Sequence, residues 1–282
     1  MSDVYTTARE LEVGDVTIVV TDHGPVSGTP VLLLHGFPDS ARLWRHQIPA
    51  LTDAGYRVLA PDLRGFGRSD KPDDVRAYTM STMARDALAV LNDAGGRPAH
   101  VVGHDWGASL GWYLTAVHPS RVRTLTVLSV GHPAAFQAAG LRQREKTWYM
   151  LLFQFEGVAE QWLSADNWYW LRTWTGNPPE LDHWIADLSR PGALSAALNV
   201  YRANMAPKRL VEPGRQLPPA DRPVMGVWSS GDVALLEEQM TGSKRYVTGE
   251  WRYERIEDAS HWIPLDAADD LNHLLLDWLG TH

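Results

Sequence analysis

Gly103-His104-Asp105-Trp106-Gly107 sets a carboxylate between two glycines, where a strand-like run (Ala99–Gly103) meets a helix-like run (Gly107–Val117). Glycine at both positions permits a tight, strained reversal that lifts the central side chain above the strand's C-terminal end. A carboxylate presented this way is a nucleophile for an sp³ carbon, and the product is an alkyl ester. It is poorly suited to esters and amides, where attack would give an anhydride. Asp105 could simply cap the following helix, but a cap has no need of both glycines. Gly107-Ala108-Ser109-Leu110-Gly111 also fits a G-x-S-x-G pattern. It lies inside the helix with no strand ending at it, so Ser109 is read as a packing residue.

An ester on Asp105 must be hydrolysed, and that requires a base. Asp258-Ala259-Ser260-His261-Trp262 follows the strand-like Trp251–Ile256, and His261 can activate a water there. An acid must orient the imidazole and stabilise its protonated form. Ser229-Ser230-Gly231-Asp232 ends the strand-like Pro223–Ser229 and places Asp232 at its tip. Glu257 and Asp258 are rival acids, but they lie too close to His261 in sequence for the usual geometry. His35-Gly36-Phe37-Pro38 follows the apolar Val31–Leu34. The backbone N–H groups of Phe37 and Trp106 are candidate donors to the oxyanion of ester hydrolysis, where one such donor is worth about 3 kcal/mol.

These residues need a frame that brings strand ends together. Val16–Val20, Val31–Leu34, Arg57–Asp62, Ala99–Gly103 and Val122–Ser129 read as strands. Met80–Ala94 has apolar spacing near 3.6 and stops at Gly95-Gly96, so it reads as a helix. The alternation predicts an α/β fold with a mostly parallel sheet flanked by helices. From Pro133 to about Ala220 no strand is apparent, and Asn177-Pro178-Pro179, Arg190-Pro191-Gly192 and Leu217-Pro218-Pro219 break a mostly helical stretch. Strand rhythm returns at Pro223–Ser229 and Trp251–Ile256, and Ala267–Leu279 reads as a final amphipathic helix. The expected organisation is a core of residues 1–132 and 221–282 with a helical cap inserted at 133–220.

With those motifs in hand, the chain resembles, over nearly its whole length, the epoxide hydrolases of the α/β-hydrolase superfamily. His35–Pro38 is similar to that family's H-G-x-P motif. Pro61-Asp62-Leu63-Arg64-Gly65-Phe66-Gly67-Arg68-Ser69 is similar to its P-D-x-R-G-[YF]-G-x-S segment, and Gly103–Gly107 to its aspartate elbow. The order Asp105, Asp232, His261 is that of the superfamily. In the insert, Tyr149 begins a match to Y-x-x-x-F-Q-x-x-G-x-A-E, and Tyr201 stands in Asn199-Val200-Tyr201-Arg202, similar to N-x-Y-R. The resemblance implies that both tyrosines point at the epoxide oxygen. Phenols with a pKa near 10 stay protonated at neutral pH and can hydrogen-bond an oxygen as charge develops on it. The implied reaction converts a small apolar epoxide and water to a vicinal diol.

Haloalkane dehalogenases are similar in fold, in nucleophile and base, and in having a tryptophan after the nucleophile. Their halide-binding Asn would stand where Phe37 is, although the tryptophan-rich insert leaves room for the variant with a second Trp. Fluoroacetate dehalogenases carry H-D-R-G at the elbow, and Trp106 replaces that first arginine. A pocket that only binds would have lost a catalytic residue, whereas Asp105, Asp232 and His261 are all present.

Composition bounds the rest. The 282 residues are 44% hydrophobic and 21% charged, with no apolar run approaching the roughly 20 residues of a membrane span. A formal charge of -8 argues against nucleic acid and anionic membranes as partners. The absence of cysteine removes thiolate chemistry and disulfides, and MSDVYTTARELEVGD does not read as a secretory signal. A cytoplasmic location is expected. The eleven histidines show no H-E-x-x-H or similar spacing, and the chemistry above requires no metal and no organic cofactor. The oligomeric state stays open, a homodimer included. The thirteen tryptophans, with Phe37, Phe153 and Phe155, favour an apolar substrate.

Overall fold

The computed structural model describes residues 8–176, 178–210 and 216–282. Their strands are β1 (Ala8–Val13), β2 (Val16–His23), β3 (Pro30–Leu34), β4 (Arg57–Pro61), β5 (Ala99–His104), β6 (Val122–Leu128), β7 (Val224–Ser229) and β8 (Trp251–Ile256). They form one sheet in the order β1-β2-β4-β3-β5-β6-β7-β8. β2 pairs antiparallel with β1 and β4, and every pairing from β4 onward is parallel. This is the α/β-hydrolase fold, with helices on both faces.

The central strands β3, β5, β6 and β7 are almost wholly buried, as strands of a sheet covered on both sides are, and their apolar residues do not alternate cleanly with polar ones. β1 escapes the sequence reading for the opposite reason. Its alternation of Leu11 and Val13 is masked by Arg9, Glu10 and Glu12, charges that suit an exposed edge.

Register aligns one rim of the sheet. Leu34 lies opposite Gly103, His104 opposite Leu128, Leu128 opposite Val227, and Ser229 opposite Ile256. The residues just past those ends, His35–Pro38, Asp105, Ser129, Ser230–Asp232 and Glu257–His261, therefore gather at one rim, where open α/β sheets hold their ligands.

The core helices are α1 (Gln47–Asp53), α2 (Met80–Asp93) and α3 (Trp106–Val117). Between β6 and β7 run α4 (Pro133–Ala138), α5 (Gly140–Lys146), α6 (Tyr149–Leu152), α7 (Val158–Thr175), α8 (Leu181–Leu188) and α9 (Ala193–Asn204). No named strand falls among the described residues of that stretch. Asn177, named above in a helix break, lies outside the described residues. α10 (Glu237–Thr241), α11 (Ile263–Asp266) and α12 (Ala268–Gly280) complete the chain. α12 buries Leu271, Leu275, Trp278 and Leu279, an i, i+4, i+7, i+8 stripe. No helix among the described residues is long and apolar enough to cross a membrane.

α7 is broken internally. Ala165 is extended (ψ 153°), and Asp166, Asn167 and Trp168 all have positive φ (49°, 56° and 61°). An unbroken helix would continue the buried face of Ala159 and Leu163 through Trp170. Instead Trp168 and Leu171 are buried and Trp170 is exposed. Trp170 stacks on Trp162, with centroids 4.8 Å apart, and Arg172 donates to the Asn167 carbonyl.

Candidate active site

The elbow is tight because its glycines leave no room for anything larger. A Cβ on Gly103 would strike the Gly107 carbonyl, and one on Gly107 would strike the carbonyl of Leu34 at the end of β3. Asp105 between them has φ 52° and ψ -118°, a backbone strain of about 1–3 kcal/mol that the surrounding packing must hold. Its Oδ1 accepts the Phe37 N–H at 2.8 Å, and the Trp106 N–H also donates to the carboxylate. Burial pushes its pKa up; the positive field of His261 and the two N–H groups oppose the shift without cancelling it.

The Phe37 loop is fixed from below. His35 Nε2 accepts the Leu63 N–H at 2.9 Å, which leaves Nδ1–H to donate to the Gly36 carbonyl. Burial keeps that imidazole's pKa low and the ring neutral. Asp62 takes the Ala41 and Arg68 N–H groups, while Arg64 makes a two-pronged buried pair with Asp86. The Pro61–Ser69 segment is thus a brace for the loop holding Gly36, Phe37 and Pro38.

His261 Nδ1 lies 2.9 Å from Asp232 Oδ2, and its Nε2 lies 3.9 Å from Asp105 Oδ2. Asp232 Oδ1 is occupied by the Ala234 and Leu235 N–H groups, both at 2.8 Å. That leaves Oδ2 for the imidazole and selects the tautomer with hydrogen on Nδ1. Burial alone would lower the His261 pKa, but the charges of Asp232 and Asp105 and the Asp232 hydrogen bond win, so it sits above 6.5.

Tyr149 opens α6 and Tyr201 lies in α9, yet their ring centroids are 6.2 Å apart, and Tyr201 packs edge-on against Trp106 at 4.9 Å. Both are buried, and both phenol pKa values are pushed well above 10, first by burial and next by the Asp105 charge. Arg202 ties their helices together. It donates to the Phe153 carbonyl, to Asn199 Oδ1 and to Glu160, while Glu160 also accepts the Gly157 N–H that begins α7. Phe37, Phe153 and Trp174 complete the aromatic surround, with Trp174 4.3 Å from Tyr149.

The α/β-hydrolase fold family matches residues 29–268. Epoxide hydrolase A of Mycobacterium tuberculosis is 31% identical across 97% of this chain and 97% of its own length. The chain belongs to the epoxide hydrolases. Epoxide hydrolase 3 of Xenopus tropicalis is 30% identical over 88% of this chain and 71% of its own. The crystal structure of Epoxide Hydrolase A from Mycobacterium thermoresistibile superposes with a TM-score of 0.85 at 29% identity, covering 97% of this chain and 98% of that one.

Within this epoxide-hydrolase frame, Asp105, Asp232, His261, Tyr149 and Tyr201 meet in one place, with the Phe37 and Trp106 amides on the Asp105 carboxylate. The rival features stand elsewhere. Ser109 is in α3, where its N–H donates to the Asp105 carbonyl. Glu257 is exposed and bound to Arg255, and Asp258 is exposed. Phe155, expected among the residues favouring an apolar pocket, is 57% exposed and faces solvent, unlike Phe37 and Phe153. It falls one residue before the Glu156-Gly157 turn into α7, outside the packed face of α6.

Several supporting residues carried no readable signal. The His261 carbonyl accepts both the Ser129 hydroxyl at 3.0 Å and His104 Nε2 at 2.9 Å, and the Ser229 hydroxyl holds the Ser260 carbonyl at 2.6 Å. Burial drives the His104 pKa far below 6.5, so it serves as a neutral donor. His104 stood inside the elbow motif, but its partner is distant in sequence. Ser129, Ser229 and Trp174 have no local pattern at all.

Proposed function

We propose that the protein hydrolyses an apolar epoxide to a vicinal diol through a covalent ester on Asp105, beneath a helical cap formed by residues 133–220. The observation that carries this reading is the convergence of two buried phenols from separate helices over a carboxylate on a strained elbow. Asp105 Oδ2, the oxygen not held by Phe37, attacks one ring carbon as the C–O bond breaks. Tyr149 and Tyr201 hold the departing oxygen, and one of them passes it a proton.

Oδ1 then becomes the ester carbonyl oxygen, already lodged against the Phe37 N–H. His261, oriented by Asp232, deprotonates a water that adds to the Asp105 carboxyl carbon. The resulting oxyanion is held by Phe37 and Trp106; its collapse expels the second diol oxygen, which takes the proton from His261, and the proton left on the Asp105 carboxyl returns to the phenolate as the diol leaves. Incubation with excess styrene oxide tests this: diol should form with the native protein and not with Asp105→Ala. Halide release from haloalkanes in the absence of diol would instead indicate a dehalogenase built on the same Asp, His and Asp.

A further inference from the structure

The exposed apolar side chains gather on one part of the molecule. Trp148, Phe155, Tyr169 and Trp170 are the exposed aromatic residues among those described, and all four lie between β6 and β7, with Leu151 and Val158 exposed among them. The half-buried Trp162 joins them into one face. Its ring stacks on Trp170 at 4.8 Å and meets Trp148 edge-on at 5.8 Å, while Tyr169 meets Trp170 at 5.3 Å. Val158 stands one helical turn before Trp162, and Leu151 one turn after Trp148. Phe155 lies between Leu151 and Val158, its carbonyl accepting the Ala159 N–H.

Trp170 belongs to this face because α7 breaks. Without the left-handed residues Asp166, Asn167 and Trp168 it would fall behind Leu163 on the buried side. Backbone of this kind clusters at functional positions, and its effect here is to add an indole to a surface that is already apolar.

The six side chains are 41–58% exposed. At roughly 200 Å² for a whole side chain they present about 600 Å² of apolar surface, as much as a monomer leaves in its largest patch. Two such faces pressed together bury about 1,200 Å², the lower bound of a specific, stable interface before any polar rim is added. The exposed charges within residues 141–170 have both signs: Arg142 and Arg144 stand with Glu145, Glu156 and Asp166. A membrane surface recognised through anionic headgroups calls for a basic rim, and the chain carries a formal charge of -8. An uncharged aromatic centre with a mixed rim is instead the make-up of a protein interface. Such a face can meet its own copy across a twofold axis, apolar centre on apolar centre.

We propose that this face is the contact of a twofold homodimer, in which residues 148–170 pack against the same residues of a second copy. The inference stands apart from the epoxide reading.

Sedimentation equilibrium of the protein at about 100 μM should give twice the 31.5 kDa of one chain. Leu151→Glu with Phe155→Glu, and Leu151→Lys with Phe155→Lys, should each halve that mass, because like charges then face each other across the axis. An equimolar mixture of the two double variants should restore it. Val26→Glu, at an exposed apolar residue outside the face, should leave the dimer intact. Circular dichroism and thermal unfolding establish that the variants fold. Should a double variant fail to fold, hydrogen exchange of the native amides of residues 148–170, which should speed on dilution, reads the same contact. A native mass of one chain, with or without flotation on phosphatidylcholine vesicles, overturns the proposal. So does a dimer that survives both double variants, or one whose amides in residues 148–170 exchange alike at every concentration.

Discussion

Nε2 of His261 stands 3.9 Å from Oδ2 of Asp105, beyond hydrogen-bond reach and well within the range of charge attraction. The imidazole is therefore coupled to Asp105 by field and, among the described residues, hydrogen-bonded through its ring to Asp232. That coupling changes during the proposed cycle. Alkylation turns Asp105 into a neutral ester and removes one of the two negative neighbours that raise the His261 pKa. In that cycle His261 would be released toward its neutral form as it comes to deprotonate water.

The acid limb of turnover follows from this. His261 works neutral, its resting pKa lies above 6.5, and hydrolytic activity is lost as pH falls through the pKa of the alkylated state. That pKa should be lower than the resting one. Imidazole NMR of the resting protein and the pH dependence of kcat, under conditions where hydrolysis limits, give the two values. A kcat limb at or above the resting value would contradict the coupling.

His261→Gln should still be alkylated and then stall. Intact-mass measurement after exposure to styrene oxide should show one added epoxide mass, absent in Asp105→Ala. Unmodified His261→Gln protein would end the two-step scheme.

Tyr149→Phe and Tyr201→Phe should each slow alkylation by about 10²-fold, the loss typical of one donor to a developing oxyanion. The double variant should nearly stop it. Pre-steady-state adduct formation reads this step directly, and full alkylation by the double variant would remove the phenols from the mechanism.

Gly36→Ala should abolish activity more than it harms folding. The new Cβ would press on the Asp105 carboxylate and displace it from the Phe37 N–H. Overpacking of this kind costs about 1–3 kcal/mol, which urea unfolding would detect, while kcat/KM should fall by far more.

Arg202→Met should destabilise the protein by about 3–5 kcal/mol, because Glu160 would be left without its half of a largely buried pair. Thermal unfolding checks the stability, and slower alkylation should accompany it, since Arg202 holds the Tyr201 helix to the Phe153 carbonyl.

What the chain discloses on reading divides along physical lines. The core strands and the Asp105 elbow are legible because period, glycine geometry and chemistry all act locally. β1 is hidden because an edge strand bears charges where alternation should show. The α7 break is hidden because little local marks it: Asp166-Asn167-Trp168 has no glycine or proline, and although Asp and Asn tolerate the left-handed region singly, three such residues in a row are not foreshadowed by the sequence. Trp174 could be counted among thirteen tryptophans but not placed, since its partners Tyr149 and Phe37 lie on other elements. Ser129 and Ser229 act on the histidine loop across gaps of 132 and 31 residues, and no spacing rule reaches that far.

The helices that bear Tyr149, Trp174 and Tyr201 leave the sheet after β6 and return at β7, two strands hydrogen-bonded side by side. Both ends of the detour meet the scaffold at one seam. Insertions, deletions or wholesale replacement of that stretch need not alter any strand register, so Asp105 and His261 can be inherited unchanged while the segment between β6 and β7 diverges. Descent with modification can then act on the groups that meet the substrate's oxygen separately from those at the sheet rim beneath them.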